Sequence, residues 1–150
     1  MDRQKRWIGV VVIAAALYLG VSTWRPRGRE ERVHQELLLA LKNGPEAREW
    51  LRNNRHPAAL ASNRFASTAE ALNFVESLYQ EGAVQVVVSP QAIRAEPEAH
   101  GSYADALVIK LPDDAPAKEK VIAIGKKEAA REGMELGPEA DQGLLFFWWD

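Results

Sequence analysis

Leu144-Leu145-Phe146-Phe147-Trp148-Trp149-Asp150 closes the chain, and the architecture turns on how its six apolar residues are accommodated. The run predicts a strand. Side chains alternate across a strand, so Leu144, Phe146 and Trp148 take one face and Leu145, Phe147 and Trp149 the other. Both faces are greasy. A sheet with helices on one side only would leave the second set uncovered. Its cover must come from elsewhere in the chain, from a second copy, from a partner protein or from a membrane surface. Phe146, Phe147, Trp148 and Trp149 are therefore the candidate docking face.

The preceding segments supply the rest of a small domain. Pro112 stops the run Ala104–Leu111, which predicts a strand, and Asp113 or Asp114 caps a helix with Pro116 in its first turn. Val121, Ile122 and Ile124 give that helix an apolar side, and Gly133 closes it. Residues 90–103, with Pro90, Pro97 and Gly101, predict a long loop, where Glu96, Glu98 and His100 form an acidic lip. Ala83–Val88 is β-branched and ends at Ser89-Pro90, a second strand. Ser67-Thr68-Ala69-Glu70 is a capping box that opens a helix to about Glu81, with Gly82 suited to the left-handed position after it. Residues 58–66 alternate and predict a short strand. The order over 58–150 is β-α-β-β-α-β. It resembles the ferredoxin-like βαββαβ plait, an α+β fold with a four-stranded antiparallel sheet.

Upstream, Val33, Leu37, Leu38 and Leu41 recur at helical spacing, and Asn43-Gly44-Pro45 starts a second, shorter helix carrying Ala47, Trp50 and Leu51. Residues 25–57 thus predict a helical hairpin stem. Its Trp50 and its Leu37–Leu41 face are the nearest cover for the exposed side of the sheet. Before it, residues 7–24 contain no charge. Eighteen residues make a helix of roughly 27 Å, close to a bilayer core of ~30 Å. Trp7 and Trp24 suit the interface, and Arg6 and Arg25 mark its edges behind a basic tail of residues 1–6. The stretch predicts an uncleaved single-pass membrane anchor, with the lipid bilayer as a partner and the domain outside the cell membrane. A cleaved signal peptide and a buried core helix are the alternatives.

Charge divides unevenly. Residues 1–29 hold six Lys/Arg against one Asp, and residues 30–150 hold thirteen against twenty Asp/Glu, net −7. An acidic domain excludes nucleic acid as the natural partner, because phosphate neutralisation needs clustered cations. With no cysteine, thiol catalysis and thiolate metal sites are excluded. His34, His56 and His100 lack a second ligand at helical spacing, so there is no metal signature. No cofactor motif and no catalytic motif is present.

One local feature suggests chemistry. Arg64, Ser67 and Thr68 precede a helix N-terminus, where free amides attract anions. Acylphosphatases, which share the plait order, hold phosphate with an arginine loop before their first helix, but their glycine-rich pattern is missing here. The expectation is a binding domain without catalysis that meets a protein partner or forms a homodimer. The alternatives are a phosphate-binding or hydrolytic enzyme built on Arg64 and Ser67, and a dimeric sensor of a small ligand.

Overall fold

The structure, a computed structural model, describes residues 27–149. It is an α+β arrangement of four helices and two small sheets among those residues. In chain order these are α1 (Arg27–Asn43), α2 (Ala47–Arg52), α3 (Thr68–Gln80), β1 (Gln85–Val88), β2 (Arg94–Glu96), β3 (Gly101–Tyr103), β4 (Ala106–Lys110), α4 (Ala115–Arg131) and β5 (Leu144–Trp148). Strands β1, β4 and β5 form an antiparallel sheet in that order, with β4 central, and β2 and β3 form a separate hairpin.

This corrects the expected plait, whose sheet has four strands. The missing strand is 58–66. Ala61 adopts a positive φ of 40°, and the amides of Arg64 and Phe65 turn back onto its carbonyl at 2.8 and 2.9 Å. A chain that curls this tightly cannot run alongside a neighbour. Only Leu60 forms a bridge, parallel to Ala104. The loop expected over 90–103 is the β2–β3 hairpin instead, with Pro97–Ala99 as its turn and His100 left-handed at φ 59°.

The second correction concerns the membrane. The stretch 7–24, with Trp7, Trp24, Arg6 and Arg25, lies outside the described residues. Among the described residues no helix is long and apolar enough to cross a membrane. The longest, α1 and α4, have 17 residues each. Both carry charges on several turns, which a hydrocarbon core does not accept. The expected membrane location and signal anchor are set aside on that finding.

Local sequence signals explain the helix ends. Ser67 Oγ accepts from the Glu70 amide at 3.1 Å, while the Glu70 carboxylate accepts from the Ala66 amide at 2.9 Å. The capping box is thus closed one residue further back than its usual form. Asp114 caps α4 by accepting from the Ala117 amide at 3.0 Å. Gly82, at φ 112°, ends α3 in a conformation that L side chains avoid.

The sheet separates two cores. On one face, Val86, Val88, Leu107, Ile109, Leu145, Phe147 and Trp149 pack with Val75 and Leu78 of α3 and Val121 of α4. Phe65, Phe74, Phe147 and Trp149 join there, with Phe65 edge-on to Trp149 at 5.5 Å. The other face carries Val87, Val108 and Leu144 under Leu37 and Leu41 of α1. So the chain covers much of its own second sheet face. Trp50 is not part of that cover and packs against the first core.

Candidate functional site

Hydrogen-bond register determines which backbone groups of β5 point outward. The Leu111 amide donates to Gly143 and the Trp149 amide to Asp105, so odd-numbered residues 143–149 bond toward β4. The alternation of an antiparallel ladder then turns the N–H and C=O of Phe146 and Trp148 away from β4. Among the described residues nothing bonds to them there.

The opposite edge of the sheet is closed. The Val86 amide donates to the Tyr79 hydroxyl at 3.0 Å, and the Val88 amide donates to the Pro45 carbonyl at 3.0 Å. Tyr79 in turn donates to Glu46 at 2.6 Å. Burial, with the hydrogen bond to Glu46, pushes the Tyr79 phenol up to about 12. One edge of the sheet is therefore sealed by side chain and loop, and the other is bare.

Side chains at the bare edge follow the predicted alternation. Phe147 and Trp149 are buried, whereas Phe146 and Trp148 are 38% and 41% exposed. A groove of about 210 Å³ runs along this edge, between β5 and the segment after α4. Met134, Leu136, Phe147 and Trp149 line it together with Glu132, Glu135 and Glu139, and Phe146 and Trp148 border it as well. Of the expected docking face, Phe146 and Trp148 are the accessible half; Phe147 and Trp149 form the groove's inner wall and the core behind it. The segment 134–139 carries no periodicity, so its place beside β5 was not legible in sequence.

Arg64, Ser67 and Thr68 are close together, but each is engaged. Arg64 donates through Nε and a terminal nitrogen to the two carboxylate oxygens of Glu128 at 2.8 and 2.9 Å. Its guanidinium lies 4.5 Å from the Phe65 ring centre. Those bonds to Glu128 hold the Arg64 pKa above its ordinary value. Burial alone pushes the Glu128 carboxyl up, yet Arg64, helped by Arg131 and the Trp149 indole, brings it below the usual carboxylate value. Ser67 caps α3. Thr68 Oγ accepts from the Ala59 amide and donates to the His56 carbonyl. The trio acts as a clasp joining the 56–68 turn to α3 and, through Glu128, to α4.

Of the acidic lip, Glu96 and Glu98 border one pocket with Pro97 and Ala99, while His100 borders another beside Asn54. Glu96 accepts from His56 Nε2 at 2.9 Å, and His56 Nδ1 accepts from the Ala58 amide at 3.0 Å. Both ring nitrogens are thus used in holding the β2–β3 hairpin to the 54–58 turn, and neither is left to serve as a base. The hydrogen bond from His56, with Arg94, lowers the Glu96 carboxyl below its ordinary value. Arg94 stacks on Tyr103 at 4.3 Å. Among the described residues no group of three His, Asp or Glu is placed to hold a metal ion. Comparison with protein-family models, with curated proteins and with solved structures finds no match for this chain.

Proposed function

We propose that this chain is a non-catalytic binding module that captures an extended polypeptide as an added strand on β5. The observation behind this reading is the asymmetry of the sheet: the outer amides of β1 are satisfied by Tyr79 and Pro45, and among the described residues those of β5 have no partner. An unpaired edge is a template for another strand. Main-chain bonds supply the affinity in such complexes, and flanking pockets supply the choice of sequence. Here the flanks are the two faces of the strand: the groove beside Phe147 and Trp149, and the opposite face carrying the side chains of Phe146 and Trp148, residues that also border the groove. Both rival readings have less support. An anion at Arg64 would have to displace Glu128, and nothing among the described residues ties a small ligand to an interface between two copies.

The test is amide hydrogen exchange on the full chain, with and without peptides selected from a ten-residue synthetic library. Amides of Phe146 and Trp148 exchange fast in the free chain, while those of Val86 and Val88 are protected. A selected peptide slows both β5 amides. Phe146→Pro removes one outward donor at an edge position where proline is tolerated, and it weakens the peptide at least tenfold. Protection of the β5 amides in the free chain, or equal binding by F146P, overturns the proposal.

A further inference from the structure

Strand addition leaves open which side chains the incoming segment carries, and the two flanks of β5 differ in chemistry. Toward α4, the groove combines an apolar floor of Met134 and Leu136 with the carboxylates of Glu132, Glu135 and Glu139. None of those three makes a close ion pair among the described residues, although Glu132 lies near enough to Arg64 to act on its charge. Glu128, by contrast, is matched by Arg64 and Arg131. An apolar floor with a carboxylate rim suits lysine and arginine, whose methylene stems lie on greasy surface while the charge stays at the margin. Toward α1, the flank is richer in apolar groups: Phe146 joins Val33, Leu37, Leu39 and Ala40 around a second groove of about 420 Å³, to which Glu36 adds a carboxylate.

An added strand must present alternate residues to these two flanks. Resting on the strand-addition reading, we infer that the occupant is a segment alternating cationic and apolar residues. Its cations face Glu132, Glu135 and Glu139, and its apolar residues face Phe146 and Trp148. Glu139, whose carboxylate accepts from its own backbone amide, is the most buried of the three. Burial raises its carboxyl above the ordinary value, and a cation seated beside it reverses that shift. A second copy of β5 fits less well, because it brings aromatic residues to both flanks and no cation to the acidic one.

Three labelled ten-residue peptides test this on the full chain by fluorescence anisotropy: alternating Lys-Val, Gln-Val and Glu-Val. The Lys-Val peptide binds roughly tenfold tighter than Gln-Val, the size of a few exposed ion pairs together. Its advantage shrinks as salt is raised. The variant E132Q/E135Q/E139Q abolishes the advantage of Lys-Val over Gln-Val. Glu132 and Glu135 are exposed and Glu139 is half-buried outside the apolar core, so circular dichroism of the variant matches that of the unsubstituted chain. Equal binding of all three peptides with protected β5 amides overturns the charge inference and keeps strand addition. No binding by any of them, with the β5 amides unprotected throughout, overturns both. Self-association that F146P abolishes assigns the edge to a second copy and overturns the cationic occupant.

Discussion

Replacing Glu128 with leucine takes the acceptor from both Arg64 donors and from the Trp149 indole at once. The Glu128 side chain is 5% exposed and that of Arg64 17%, so the stranded guanidinium has little water to turn to. Its next carboxylate, Glu70, is 3.8 Å away. Breaking a buried pair from one side costs about 3–5 kcal/mol. The residual exposure of Arg64 and the nearness of Glu70 place Glu128→Leu at the lower end, about 3 kcal/mol. Arg64→Leu strands a buried carboxylate and costs a similar amount. The double substitution leaves two apolar side chains beside Phe65 and Phe74 and strands no charge, so it costs less than either single substitution and far less than the additive value of about 6 kcal/mol.

Urea unfolding followed by tryptophan fluorescence reads this directly, because Trp149 lies in the affected cluster. With a slope of about 2 kcal/mol/M, each single substitution lowers the midpoint by about 1.5 M. The pH dependence has a definite sign. The folded-state pKa of Glu128 lies below its ordinary 4.5. Its contribution is therefore full above about pH 4.5 and fades as pH falls through the depressed folded value. The gap between the unsubstituted chain and E128L narrows over the same range. Single costs below about 1 kcal/mol, or a double cost equal to the sum, would refute the assignment of Arg64 and Glu128 as a structural clasp.

Two further outcomes follow from the sealed edge and the hairpin. Tyr79→Phe leaves the Val86 amide without its acceptor and destabilises the chain by about 1–3 kcal/mol. Because the folded phenol titrates near 12 instead of 10, the unsubstituted chain loses stability as pH rises from 10 toward 12, and Y79F lacks that loss in an alkaline titration by circular dichroism. Gly101→Ala places a Cβ against Asn54 Oδ1 and 2.6 Å from the His56 backbone nitrogen, so the hairpin has to shift. We expect a cost of about 1–3 kcal/mol and faster exchange of the Ser102 amide, which donates to Asn54 at 3.2 Å. Unchanged exchange at Ser102 would show that the close approach is not a constraint.

Local signals carried well into the structure, and long-range ones did not. The capping residues Ser67 and Asp114, the apolar face of α3 and the strands at 85–88, 106–110 and 144–148 were all legible, since each depends on neighbours within a few residues. The turn at 58–66 was not. Its alternation is that of a strand, and what curls it is the set of hydrogen bonds with Thr68, Ala61 and Ala104, the last of them more than forty residues away. Arg64 looked like an anion ligand because its partner is 64 residues away. The hairpin at 94–103 was hidden by its three-residue strands, too short for any period to register.

The amino-acid sequence alone determined that β5 has two apolar faces, because side-chain alternation is a property of any extended chain. It also settled that the domain is acidic and that thiol chemistry is closed to it, since both are matters of composition. Only the tertiary structure decided which part of that strand is left bare. Docking α1 over Leu144 but not over Trp148, and closing β1 with Tyr79 while leaving β5 open, are choices among packings of comparable local merit. They rest on contacts between residues remote in sequence, which no local pattern encodes.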